Sequence, residues 1–304
     1  MSDIPKILPG IARLSSSFNG LLLDAYGVFW GGNAFGPFPG SIEVMEKLVS
    51  AGKVIGILSN ATQLAAKEIA KLHLHGLVQG KHFHFFITSG EVAKEIFTRG
   101  TLPFETPRNK FFLFSGRHPL YSHHESLFQD SVYSETFDID EADFIYISTP
   151  HIGGEDQTDP KLFLNELERL KSKNLPMICP NPDQFAHEGN PPRAVVRQGS
   201  IALMYEVLGG KVFYIGKPHN MSYNNAMSHF QEHGIANPLK ILMVGDTPET
   251  DIRGARRFGM PSALVTQTGM MADRIAHYGL EEALQGLSIE DLPDYFIERL
   301  INDI

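Results

Sequence analysis

Four short apolar runs, each stopping on polar residues, set the strongest limit on how this chain can fold. Gly20-Leu21-Leu22-Leu23 runs into Asp24, and Val54 to Leu58 finishes at Ser59-Asn60. Val212-Phe213-Tyr214-Ile215 leads into Gly216-Lys217-Pro218, and Ile241-Leu242-Met243-Val244 stops at Gly245-Asp246. Runs this short and this apolar read as buried strands. Helical spacing fills the gaps. After the glycine- and proline-rich loop Gly31 to Gly40, Ser41 is placed to cap a helix carrying Ile42, Met45, Leu48 and Val49, and Gly52 ends it. A helix is expected around Tyr223 to His233, and another from Asp251 to Phe258 with Gly259 as its stop. Ala263-Leu264-Val265 supplies one more strand. Strands alternating with helices imply an α/β fold, a Rossmann-like parallel sheet.

A chain of 304 residues exceeds what one hydrophobic core usually spans. The middle has its own texture, with strands at Phe111 to Phe114, Phe144 to Ile147 and Met177 to Cys179, and a helix at Pro160 to Ser172. The expected organisation is a core from residues 1–106 and 200–304 with an α/β cap domain inserted at 107–199. Proline-bearing linkers are expected at Leu102 to Asn109 and Asn190 to Arg193. The 26 Lys and Arg against 35 Asp and Glu leave a formal charge of −9, which speaks against a nucleic-acid surface. The single cysteine, Cys179, suits a reducing compartment. The start of the chain lacks the basic and apolar stretches of a signal peptide, and no apolar run reaches membrane-spanning length. A cytoplasmic protein is expected, with no membrane or nucleic-acid partner.

Ligands of open parallel sheets bind at the carboxyl ends of the strands, beside the switch in strand order. Asp24, Ser59-Asn60, and Asp246 with Asp251 stand at such ends, and Lys217 follows a fourth. Carboxylates suit a hard cation; Ser, Asn and Lys suit phosphate oxygens. Each has an ordinary alternative: Asp24 a turn residue, Asp246 and Asp251 helix caps, Lys217 a solvated lysine, Ser59-Asn60 a helix start. Their joint occurrence in order favours a site. His82, His84, His123 and His124 read as surface or packing residues, Trp30 as lining a substrate entrance, and Glu91 as a first-turn helix residue.

That order resembles the four motifs of the haloacid dehalogenase (HAD) superfamily. The residues are Asp24-Ala25-Tyr26-Gly27-Val28, Ile57-Leu58-Ser59-Asn60, Gly216-Lys217-Pro218, and Val244-Gly245-Asp246 through Asp251. Pro39-Gly40-Ser41, Asn181-Pro182-Asp183, and Asp251-Ile252 with Gly254-Ala255 and Gly259 are similar to the type IIA, NagD-like phosphatase branch. That branch carries its cap between the second and third motifs. The resemblance implies a hydrolase in which Asp24 attacks phosphorus to give an aspartyl-phosphate. Asp24, the Tyr26 backbone carbonyl, Asp246 and Asp251 would hold Mg²⁺, Ser59 and Asn60 would bind the phosphoryl group, and Lys217 would balance charge. It also implies a phosphorylated small-molecule substrate, its identity set by cap loops such as Asn181 to Asp183 and Arg193, and a homodimer through the cap.

Tyr26 departs from the pattern, since superfamily phosphatases place a general-acid aspartate there. A phenol, with an ordinary pKa near 10, activates water poorly, and losing a general acid–base group costs about 10²- to 10⁴-fold in rate. Slow turnover of alkyl phosphates is therefore expected, with aryl and acyl phosphates faring better. Two alternatives follow. One is a non-enzymatic phosphometabolite binder on a phosphatase fold. The other is a 2-haloacid dehalogenase, whose first motif Asp-Ala-Tyr-Gly resembles but whose lineage lacks an acidic metal loop.

Overall fold

The computed structural model describes residues 6–189 and 193–303, so most of the expected linker at Asn190 to Arg193 lies outside the described residues. The chain forms two compact units. One runs through Ser59, takes up Ala66–Ile87 and resumes at Lys217; the other comprises Asn60–Ala65 and Thr88–Gly216.

The first unit is built on a seven-stranded sheet in the order Ile7–Leu8, Tyr295–Ile297, Ser262–Val265, Ile241–Gly245, Gly20–Leu23, Val54–Ser59, Phe85–Thr88. The pairings from Ile7–Leu8 across to Val54–Ser59 are all parallel. Successive strands step outward in opposite directions from the Gly20–Leu23/Ile241–Gly245 pair. The switch in strand order therefore falls between the strands that end at Asp24 and just before Asp246. Leu21, Leu23, Leu242 and Val244 are fully buried in a cluster shared with Ile55, Ile57, Val44 and Met45. Burying a leucine side chain contributes roughly 1.5–3 kcal/mol.

The helices fall close to expectation, at Ser41–Ser50, Asn220–Glu232 and Arg253–Phe258, the last stopped by Gly259 in the left-handed region at φ 80°. Ser41 differs from its expected role. It is the first helical residue, preceded by Gly40, and its hydroxyl donates backward to the Phe38 carbonyl at 2.7 Å instead of accepting from the helix amides. Trp30 also departs from expectation: it is 1% exposed, packed in the core cluster with its ring against His75. A large apolar indole stabilises most when buried, so it packs in the core instead of lining an entrance.

The second unit carries a five-stranded parallel sheet in the order Val212–Tyr214, Met177–Cys179, Phe144–Ile147, Lys110–Phe114, Ser134–Thr136. Its helices Leu164–Lys171 and Gln198–Val207 cover one face through Leu167, Leu170, Ile201 and Tyr205. Stacked Phe97, Phe128 and Phe111 rings pack elsewhere in the unit. Besides Asn60–Ala65 this unit takes in Thr88–Gly216, a wider span than the expected 107–199. The strand before Lys217 was expected in the core sheet; it pairs instead with Met177–Cys179. An apolar run announces a strand, but the sheet it joins depends on its neighbours.

Candidate active site

Asp24 and Asp246 follow from adjacent central strands. Leu23 is in register with Val244, and the Asp24 amide donates to the Val244 carbonyl at 2.9 Å. Asp251 comes from the turn Pro248–Ile252, and its Oδ2 accepts from the amides of Asp246 and Thr247, each at 3.1 Å. Those two bonds close the loop on itself and fix the Asp251 carboxylate. Asp246 is fixed too: Oδ2 accepts from the Met270 amide at 2.7 Å and Oδ1 from the Thr247 hydroxyl at 3.1 Å.

Lys217, 2% exposed, brings Nζ to 2.6 Å from Asp24 Oδ1 and 2.7 Å from Asp251 Oδ1. One oxygen from each of Asp24, Asp246 and Asp251 lies within 4.8 Å of the others. Three carboxylates with one ammonium leave two formal negative charges in a buried space. The strain of that arrangement is visible at Asp246, whose carboxyl is pushed well above the usual carboxylate range by burial and by repulsion from Asp24 and Asp251. An all-oxygen, over-anionic donor set of this kind fits a hard divalent cation. Among the described residues it is the sole group of three or more His, Cys, Asp or Glu able to hold a metal.

Two glycines make room for Asp246. A Cβ on Gly27, at φ 82°, would lie 2.2 Å from Asp246 Oδ2, and one on Gly269 would lie 1.9 Å from it. The peptide after Tyr26 and the start of the Gly269–Tyr278 helix therefore press directly on the carboxylate.

Asp24, Lys217, Asp246 and Asp251 are thus brought together as expected from their order in the sequence. Ser59 is buried at the carboxyl end of the strand beside Gly20–Leu23. Asn60 belongs to the second unit, where its amide donates to Asp183 Oδ1 at 2.9 Å. Tyr26 is 39% exposed, and its phenol oxygen accepts from Lys71 Nζ at 2.7 Å, a lysine that sequence reasoning passed over. The Met270 amide was missed as well. His82 and His84 accept backbone amides of Val78 and Ile55, His124 is buried, and His123 meets Thr62, so the histidines serve packing and local bonding. Glu91 sits in the first turn of Ser89–Arg99.

Residues 214–297 match the family model described as HAD-hydrolase-like. That match covers the C-terminal part of the first unit, and the fold is that of a haloacid dehalogenase-like hydrolase. Chronophin of Bos taurus is 26% identical over 92% of this chain and 90% of its own length. A cardiolipin synthase/mitochondrial hydrolase fusion protein of Schizosaccharomyces pombe is 36% identical over 35% of this chain; the match spans 18% of that longer protein. Among solved structures, a haloacid dehalogenase-like hydrolase from Brucella suis superposes with a TM-score of 0.77 at 24% identity, covering 97% of this chain and all of that one. A possible sugar phosphatase from Cytophaga hutchinsonii gives 0.71 at 20% identity, over 99% of this chain and all of its own. NagD of E. coli shares the fold, with a TM-score of 0.60 at 17% identity over 93% of this chain and 97% of that one. Among the described residues no helix is long and apolar enough to cross a membrane.

Proposed function

We propose that this chain is a Mg²⁺-dependent phosphomonoester hydrolase that works through an aspartyl-phosphate on Asp24. The observation that carries the proposal is the buried cluster of Asp24, Asp246 and Asp251 bridged by Lys217. Asp24, Asp246 and the Tyr26 backbone carbonyl would hold the cation, with Asp251 beside them. When bound, Mg²⁺ would offset the charge of the phosphate so that an anionic carboxylate can approach it. Asp24 attacks phosphorus, an Asp24 oxygen–phosphorus bond forms, and the bond to the leaving oxygen breaks. Water then attacks the same phosphorus, freeing Asp24 and inorganic phosphate. Lys217, bonded to Asp24 Oδ1, holds the nucleophile in place and offsets negative charge beside it. Ser59 would contact the transferring phosphoryl oxygens.

The halide-displacing alternative has no use for three clustered carboxylates, which weighs against it. The lone, fully buried Cys179 accords with a reducing, cytoplasmic setting, and a homodimer through the second unit is carried over from the type IIA resemblance. The test is a panel of aryl, acyl and alkyl phosphates assayed with Mg²⁺ and with EDTA. Turnover that needs Mg²⁺ and vanishes in Asp24→Asn is expected. Full activity in EDTA, or in Asp24→Asn, would overturn the reading.

A further inference from the structure

Tyr26 stands where a proton-donating aspartate is expected, yet its phenol is not left to solvent alone. Lys71, in the helix Ala65–Leu74, donates from Nζ to the Tyr26 oxygen at 2.7 Å, and the same nitrogen sits 5.3 Å from the centre of the phenol ring. Glu68, one turn earlier on that helix, holds Lys71 Nζ at 2.5 Å with its own side chain only 8% exposed. The ammonium is therefore pinned between a buried carboxylate and the phenol, with 23% of its side chain exposed. A side chain with this much rotamer freedom is held in one place by two partners.

A hydroxyl that accepts a charge-assisted hydrogen bond becomes a stronger donor through its own hydrogen, because successive bonds polarise one another. We infer that Lys71 and Tyr26 form a donor chain that stabilises the leaving oxygen of the substrate, with Lys71 acting as a positioning residue through Tyr26. The inference rests on the phosphatase reading above and deepens it by naming a substrate class. As the phosphorus–oxygen bond breaks, the electron pair moves to the leaving oxygen, which receives the Tyr26 O–H as a hydrogen bond. No proton need pass to it. An aryl, enol or acyl oxygen departs as a stable anion and takes its proton later from water; an alkoxide does not depart readily by this route. The preferred substrates are phosphate esters or anhydrides whose leaving group carries its own negative charge well.

The test is a series of phosphate monoesters spanning aryl to alkyl leaving groups, with kcat/KM measured for the wild type and for Tyr26→Phe, Lys71→Met and Lys71→Arg. The wild type is expected to lose rate steadily as the leaving group becomes more basic. Tyr26→Phe and Lys71→Met should each steepen that dependence, lowering the alkyl members by about 10- to 100-fold more than p-nitrophenyl phosphate, in line with loss of a hydrogen-bond donor to a developing oxyanion. A Tyr26→Phe/Lys71→Met double variant should be no steeper than either single one, and Lys71→Arg should keep most of the wild-type slope. A uniform fall across the series, with the slope unchanged in Lys71→Met and Lys71→Arg alike, would show that Lys71 only supports the fold and would overturn the inference while leaving the phosphatase reading in place. Absence of p-nitrophenyl phosphate turnover in the wild type would overturn both.

Discussion

Replacing Lys217 by Met removes a cation buried among three carboxylates, and its cost can be worked from the structure. Nζ lies 2.6 Å from Asp24 Oδ1 and 2.7 Å from Asp251 Oδ1, with the lysine side chain 2% exposed. Deleting one partner of a buried pair costs about 3–5 kcal/mol. The protein has an escape, which is to protonate a carboxylate. For a group with an ordinary pKa near 4 that costs about 1.4 kcal/mol per pH unit, or about 4 kcal/mol at pH 7, so the two estimates agree. The escape also sets the sign of the pH dependence. The folded variant holds a proton that the unfolded chain has lost, so its stability falls as pH rises above about 4, and the loss relative to wild type shrinks to about 2 kcal/mol at pH 5.5. Trp30, the single tryptophan, is buried in the core unit, so its fluorescence reports urea unfolding of that unit. In EDTA at pH 7, Lys217→Met should lose about 3–5 kcal/mol. Saturating Mg²⁺ at about 100 times its dissociation constant should return about 2.7 kcal/mol. A loss below about 1 kcal/mol, the scale of an exposed ion pair, or one independent of pH, would refute the idea that Lys217 neutralises a buried anionic cluster.

Gly27→Ala should lower kcat/KM at least about tenfold, because its Cβ would lie 2.2 Å from Asp246 Oδ2 at a positive φ that also strains alanine by about 1 kcal/mol or more; Gly32→Ala, at φ 89° with nothing within 4 Å, shares the strain without the clash and should keep kcat/KM near wild type. His124 is buried with neither ring nitrogen hydrogen-bonded, and burial lowers its pKa below 6.5. Its neutral form therefore supports stability fully above about pH 6.5, and that support is lost as pH falls toward the folded value, at up to about 1.4 kcal/mol per pH unit. His124→Phe should flatten this part of the stability–pH curve measured by urea unfolding. Arg253→Ala should cost about 3 kcal/mol in the same assay, since it strips a two-pronged partner at 2.7 and 2.8 Å from the buried Asp291.

Much of the core and of its site could be read from the sequence, for an identifiable reason. Asp24 and Asp246 each follow a strand whose apolar residues leave it no place but the interior, and adjacent parallel strands bring their ends together. Lys217 reached the same point although the strand before it belongs to the other sheet. The loop Gly216-Lys217-Pro218, not the strand, determines where it goes. What could not be read depends on contacts between distant residues or on the backbone. Nothing about Lys71 in an ordinary amphipathic helix marks it as the partner of Tyr26, 45 residues earlier. The Asn60 amide is engaged by Asp183, 123 residues away. The Met270 amide that fixes Asp246 is a main-chain donor, which no residue type announces. Trp30 went to the core because a large apolar surface stabilises most when buried, and a single indole carries no pattern to say so in advance.

The central claim is that Asp24 becomes covalently phosphorylated. Enzyme mixed with Mg²⁺ and p-nitrophenyl phosphate, quenched in acid within the first turnover and digested, can be mapped by mass spectrometry. The account predicts one added phosphoryl group on the peptide containing Asp24, absent in Asp24→Asn and removed by hydroxylamine. Turnover with no phosphoryl group on that peptide, or with the group on another residue, would contradict it.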